Sequence, residues 1–103
     1  MTIRTMIVDD EPPAREGIRL RLQGQPDIEL VGEYGSAREA VAAIRENAPD
    51  LLFLDVHMPG ISGIEMMHEI GPDVVPAVIL VTAYEEHAVE AFEVSVVDYV
   101  LKP

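Results

Sequence analysis

The fold is decided by a short apolar run that ends in a carboxylate, Leu51-Leu52-Phe53-Leu54-Asp55. The run shows no period-two alternation, which is typical of a strand that is covered on both faces in a parallel sheet. A second run of the same kind is Val78-Ile79-Leu80-Val81. These two stretches predict central strands of a parallel sheet.

Further apolar runs and helix signals alternate around these two. Strands are predicted at residues 3–8, 28–34, 51–54, 77–81 and 96–101. Three stronger helix signals separate them: Pro12-Pro13 suits a first helical turn, and Ser36 with Glu39 and Ser62 with Glu65 have capping-box spacing. A weaker helical pattern covers residues 85–93. This alternation predicts an α/β fold, a doubly wound five-stranded parallel sheet.

Composition narrows the possible functions. The 103 residues suffice for one small domain, and 7 basic against 19 acidic residues give a net charge of −12. Such a charge argues against nucleic-acid binding by this chain, because phosphate backbones attract positive charge. The absence of cysteine excludes disulfides and thiolate metal sites, and it is compatible with a cytoplasmic location. No apolar run has the length of a membrane span, so no membrane partner is expected.

Candidate functional residues stand where the predicted strands end. The first strand is followed by Asp9-Asp10-Glu11, and the third ends at Asp55. The carboxyl ends of parallel strands share one edge, where ligands of such sheets bind. Clustered carboxylates repel one another unless a cation lies among them, and hard oxygen ligands suit Mg²⁺. We therefore predict a magnesium site built from Asp9, Asp10 and Asp55.

Two further residues at this edge extend the chemistry. Lys102 follows the last strand and offers a compensating positive charge, and Thr82 ends the fourth strand and offers a hydroxyl donor. A carboxylate beside a metal and a lysine can act as a nucleophile toward phosphorus. The pattern predicts a phosphoryl acceptor at Asp55, assisted by Lys102 and Thr82. The plain alternative is that these are solvated surface groups and an ordinary strand-end threonine.

Five separated motifs stand in a fixed order along the chain: Asp9-Asp10-Glu11, Asp55, Met58-Pro59-Gly60, Thr82-Ala83 and Lys102-Pro103. In this order and spacing they resemble the receiver domain of bacterial two-component response regulators. The detailed amino-acid sequence of residues 9–15, 82–92 and 98–103 is similar to that of LytTR-type (LytR/AlgR-like) transcriptional regulators. The resemblance implies a flavodoxin-like fold with strand order 2-1-3-4-5.

The resemblance also implies roles for individual residues. Asp55 would take a phosphoryl group from a phosphohistidine on a partner sensor histidine kinase. Asp10 would ligate Mg²⁺ directly, with Asp9 near it, and the backbone carbonyl of His57 would be a further ligand. A domain of this kind is a phosphoacceptor with self-catalysed phosphotransfer and dephosphorylation rather than a conventional enzyme.

A conformational switch is implied as well. The hydroxyl of Thr82 would move to the phosphoryl oxygen while the ring of Tyr99 turns inward. Separately from the resemblance, the position of Tyr84 two residues after Thr82 suits either a gate to the pocket or an ordinary half-exposed aromatic. The repacked surface would control dimerisation and a DNA-binding output domain, and thereby transcription.

Two departures from the family pattern lead to further expectations. Residues 1–103 stop at the fifth strand, so we expect a receiver domain truncated after that strand, without its final helix and output domain. DNA would be bound only through the absent output domain. We expect self-association, as a homodimer or otherwise, through the uncovered face of the fifth strand.

Two other functions compete with this interpretation. The first is a Mg²⁺-dependent phosphatase with an aspartyl intermediate, similar to haloacid dehalogenase-like enzymes. That class needs a second aspartate two residues after its nucleophile, and neither Asp9 nor Asp55 has one. The second is a receiver-like interaction module that is not phosphorylated. It is disfavoured by the presence of four residues: Asp10, Asp55, Thr82 and Lys102.

Overall fold

The computed structural model describes residues 2–71, 73–82 and 98–101, the last four and Thr82 by their backbone alone. Strands and helices alternate through most of this range. Their bounds are β1 Ile3–Val8, α1 Pro12–Leu22, β2 Ile28–Tyr34, α2 Ala37–Glu46, β3 Leu51–Asp55, α3 Gly63–Ile70, β4 Ala77–Thr82 and β5 Asp98–Leu101. None of the helices in these ranges has the length and apolarity that a bilayer crossing requires.

All five strands are parallel and form one sheet in the order β2-β1-β3-β4-β5. The predicted α/β class and strand order are therefore confirmed, and β3 lies at the centre of the sheet as its continuous apolar run indicated. The described part of the last strand is Asp98–Leu101, and residues 96 and 97, where the sequence pattern placed its start, lie outside the described residues. The helix predicted at 85–93 lies outside the described residues.

Strand register determines which residues lie side by side at the carboxyl ends of neighbouring strands. Val8 pairs with Leu54, and Asp55 pairs with Val81. Asp9 therefore follows β1 at the level where β3 ends, and Thr82 lies one residue further along β4. The register between β1 and β2 shifts between Thr5 and Met6, and this irregularity lies away from the carboxyl edge.

The helix boundaries follow from the residues that the sequence singled out. At α3 the Ser62 hydroxyl accepts from the Glu65 amide at 3.1 Å, and the Glu65 carboxylate accepts from the Ser62 amide at 3.2 Å. These two bonds complete the predicted capping box. At α2 the Ser36 hydroxyl accepts from the Glu39 amide at 3.3 Å. Both helices are thus fixed at their first turn by a serine.

The central strands carry buried side chains on both faces of the sheet. Leu52 and Leu54 are fully buried and belong to a core shared with α2 and α3. The predicted apolar stripe of α2 is confirmed, since its four buried residues are Ala37, Ala40, Val41 and Ile44. Phe53 points to the opposite face and is half-buried, and α1 contributes no fully buried residue. Ile7, which pairs with Phe53 on that face, is fully buried, so the arrangement agrees with the prediction of a central strand covered on both faces.

We predict that Leu52→Ala lowers the free energy of unfolding by about 2–5 kcal/mol, because it leaves a cavity in the α2–α3 layer. The matched control is Leu20→Ala on α1, where the leucine is 55% exposed and the loss should stay below about 0.5 kcal/mol. Urea unfolding of both variants measures the difference. Equal losses in the two variants would contradict the assigned core.

Candidate functional site

The first part of the site is the turn that joins β1 to α1. Asp9 is 1% exposed, and its amide donates to the Tyr34 carbonyl at 3.0 Å, which extends the β1–β2 pairing by one residue. Its carboxylate Oδ1 accepts from the Glu11 amide at 3.0 Å. Asp10 is half-buried and Glu11 is exposed, and the helix begins at Pro12. The turn thus presents three consecutive carboxylates at the sheet edge.

The second part is the end of β3. Asp55 is 3% exposed, and its Oδ1 accepts from the amide of His57 at 3.3 Å. The chain then turns through Gly60, whose φ of +88° lies in the left-handed region that glycine tolerates. The Val56 carbonyl accepts from the Gly63 amide at 2.8 Å, which joins the start of this loop to the start of α3.

Gly63 lies directly beneath the backbone of Asp55. A Cβ atom at position 63 would overlap the Asp55 carbonyl oxygen and would come within 3.1 Å of the Leu54 side chain. The absence of a side chain therefore lets the first turn of α3 approach the end of β3. The start of α3 therefore packs directly against the backbone of Asp55.

Four carboxylates meet at this edge. Ligand atoms of Asp9, Asp10, Glu11 and Asp55 all lie within 4.8 Å of one another. The sequence argument expected the three aspartates to converge, and the structure brings them together. The sequence argument did not include Glu11 among the metal ligands. The run of three acidic residues after β1, which Glu11 completes, was the feature that could have indicated it.

The donor set fits a small hard cation. Every candidate ligand atom is a carboxylate oxygen, the donor type that Mg²⁺ takes from proteins together with water and phosphate oxygens. Two of the four carboxylates, those of Asp9 and Asp55, are almost fully buried, where mutual repulsion is least screened by water. A divalent cation would relieve that repulsion.

The structure describes the other predicted site residues only in part. The backbone of Thr82 closes β4 at the same edge, and the Tyr99 backbone lies in β5 paired with Leu80. The side chains of both, and the whole of Tyr84 and Lys102, lie outside the described residues. His57 is exposed and contributes its amide to Asp55, while the ligand role of its carbonyl stays a prediction.

Comparison with known proteins identifies the family. The sequence model of the family described as response regulator receiver domain matches residues 5–103. The chain belongs to the response regulator receiver family. It is 52% identical over 101 residues to the transcriptional regulatory protein BtsR of Salmonella typhimurium and 50% identical to BtsR of Escherichia coli K12. Each alignment covers 98% of this chain and 42% of the relative, so the receiver domain spans less than half the length of these curated relatives.

Solved receiver structures share the fold over nearly the whole chain. The response regulatory domain of Klebsiella pneumoniae protein mrkE superposes with a TM-score of 0.90 at 31% identity, covering 98% of this chain and 84% of that one. The response regulator domain of Thermotoga maritima CheB superposes with a TM-score of 0.88 at 33% identity, covering 100% and 80%. The receiver assignment and the flavodoxin-like sheet that it implied are thus confirmed.

We predict that Gly63→Ala lowers the free energy of unfolding by about 1–3 kcal/mol, because the new methyl group must displace the Asp55 backbone or α3. The control is Gly17→Ala in α1, where nothing lies within 4 Å of the new Cβ and alanine should stabilise the helix by up to about 1 kcal/mol. Thermal unfolding gives both values. Stabilisation by Gly63→Ala would refute the close approach of α3 to Asp55.

Proposed function

We propose that this receiver domain accepts a phosphoryl group on the carboxylate of Asp55. The observation that carries the proposal is the convergence of Asp55 with Asp9 and Asp10 at the carboxyl edge of the sheet, in a chain of the receiver family. Asp55 ends the central strand and is nearly buried, so its carboxylate is held by the fold. A carboxylate so held can act as a nucleophile.

The chemistry at Asp55 is a simple substitution. One Asp55 carboxylate oxygen forms a bond to phosphorus while the bond from phosphorus to the donor atom breaks, and the donor leaves with the bonding electron pair. The His57 amide binds Oδ1 and so orients the carboxylate. The product is an aspartyl phosphate, which water can later hydrolyse. The net reaction is therefore group transfer followed by loss of phosphate, with the protein returned unchanged.

Asp9, Asp10 and Asp55 would hold Mg²⁺, with the His57 carbonyl as a further ligand. Bound there, the ion would supply positive charge that offsets the negative charge of the carboxylates and of the incoming phosphoryl group. Asp9 and Asp10 lie in the turn after β1 and Asp55 is the last residue of β3, so the site joins two parts of the fold. Lys102 and Thr82 are proposed to add a cation and a hydroxyl donor toward the phosphoryl oxygens.

The partner and the output follow from the family. A receiver domain implies a sensor kinase, and the curated relatives are transcriptional regulatory proteins. We propose that residues 1–103 act as the receiver of a cytoplasmic LytTR-type regulator, on the similarity of residues 9–15, 82–92 and 98–103 to that type. Thr82 and Tyr99 would form the switch, with Tyr84 at the pocket, and the phosphorylated state would favour dimerisation and DNA binding by an output domain.

We predict that incubation with Mg²⁺ and acetyl phosphate adds one phosphoryl group to the chain and that Asp55→Asn abolishes the adduct, because the amide is no nucleophile. Intact-mass spectrometry measures the product. The control is Asp27→Asn, an exposed aspartate just before β2 at the opposite edge, which should label like the unmodified chain.

The same experiment separates the competing functions. Rapid multiple turnover of a small phosphate ester would favour a phosphatase. An unlabelled chain that still binds Mg²⁺ would favour an interaction module without phosphorylation. Labelling that persists in Asp55→Asn would move the acceptor to another residue.

A second prediction concerns Asp10. Asp10→Asn should weaken Mg²⁺ binding by roughly tenfold or more, because it removes a charged ligand from the site. Isothermal titration calorimetry measures the affinity, and Glu16→Gln, which removes an equal charge from the exposed side of α1, is the control. Equal affinities in the two variants would remove Asp10 from the proposed site.

A further inference from the structure

Arg15 makes a contact that the proposed chemistry does not use. Its guanidinium Nη1 donates to the backbone carbonyl oxygen of Asp9 at 2.6 Å, from the second turn of α1 back to the end of β1. The side chain is half-buried. A short hydrogen bond from a charged donor is stronger than one between neutral groups. Arg15 therefore ties α1 to the turn that carries the three consecutive carboxylates.

Among the described residues, three hydrogen-bond partners that hold Asp9 are Tyr34, Glu11 and Arg15. Its amide donates to the Tyr34 carbonyl at 3.0 Å, its Oδ1 accepts from the Glu11 amide at 3.0 Å, and its carbonyl accepts from Arg15. Two of these bonds involve backbone amides, which a substitution leaves in place. Arg15 is the side-chain donor of the three, so the contribution of its bond can be tested directly.

The neighbouring glycine leaves room for this contact. A Cβ atom on Gly35, just after β2, would lie 3.2 Å from Nη1 of Arg15 and 3.9 Å from its Cζ. The guanidinium thus occupies the space beside the Gly35 backbone. This second observation places the arginine in a defined position between the ends of β1 and β2.

We propose that Arg15 is a positioning residue for the cation site: its bond to the Asp9 carbonyl fixes the turn from which Asp9 and Asp10 reach the metal. The inference rests on the proposed function, since it concerns the same magnesium site. Lysine at this position would keep the charge but would lose the planar fork that directs the bond. Outer-shell partners of this kind hold metal ligands in place and contribute to metal affinity.

Charge and position predict opposite effects when Arg15 is removed. Arg15→Met eliminates a positive charge near the site, which by electrostatics alone would strengthen Mg²⁺ binding. Loss of the bond to Asp9 would instead weaken it. The sign of the change in affinity therefore separates a positioning role from a purely electrostatic one.

The test is Mg²⁺ titration by calorimetry of the unmodified chain and of Arg15→Met, Arg15→Lys and Arg19→Met. We expect Arg15→Met to raise the Kd roughly tenfold, with Arg15→Lys between it and the unmodified chain. Arg19→Met removes the same charge one turn later, where the guanidinium binds Glu33 at 3.0 Å, and should leave the Kd nearly unchanged. A lower or unchanged Kd in Arg15→Met would overturn the proposal.

A further variant, Gly35→Ala, retains the arginine and is also combined with Arg15→Met. Gly35→Ala should crowd the guanidinium and raise the Kd by a smaller factor, and it should have no further effect in an Arg15→Met background, where the space is vacated. Additive effects would overturn the proposal. Should Arg15→Met prove too unstable to titrate, an unchanged Kd in both Gly35→Ala and Arg15→Lys would overturn it instead. Without Mg²⁺, the amide resonance of Glu11 should shift in Arg15→Met and not in Arg19→Met.

Failure of the proposed function is recognised separately. An unmodified chain that binds no Mg²⁺ contradicts the proposed function itself. Normal binding by the unmodified chain together with normal binding by Arg15→Met contradicts only the inference about Arg15.

Discussion

Repulsion among carboxylates is the constraint on which the rest of this structure depends. Four of them have ligand atoms within 4.8 Å of one another, and two of the four are almost excluded from water. Such groups separate in an unrestrained chain, because each gains by contact with solvent. Here the register of parallel strands carries Asp9 and Asp55 to the same edge, and the hydrophobic core beneath them supplies the stability that this convergence costs.

The buried carboxylates are held in the same way in the turn after β1 and in the turn after β3. Asp9 and Asp55 each accept a hydrogen bond from the amide two residues later, Glu11 in one turn and His57 in the other. This arrangement satisfies one oxygen locally and orients the carboxylate before any ligand arrives. The two aspartates therefore have similar local structures at the ends of the adjacent strands β1 and β3, although the first turn leads to α1 and the second to α3.

Much of this organisation could be predicted because its causes are local. The apolar run at 51–54, the serine caps of α2 and α3, and the acidic residues after β1 and at the end of β3 are all visible in sequence. Parallel pairing then brings the strand ends together. Two contacts were not predicted: the hydrogen bond from Arg15 to the Asp9 carbonyl, and the close approach of Gly63 to the Asp55 carbonyl. Contacts of this kind join different elements to a backbone carbonyl and follow no periodicity in the sequence.

The shallow burial of α1 has a consequence for dynamics. A helix without a fully buried residue can detach at a lower free energy than the α2–α3 layer, so its amides should exchange with solvent through local opening well before the chain unfolds globally. Because α1 begins one residue after Glu11, each such opening would also release the Asp9–Glu11 turn from its support. The lifetime of the closed helix would then set an upper limit on how long the ligand cluster stays assembled when no ion is bound.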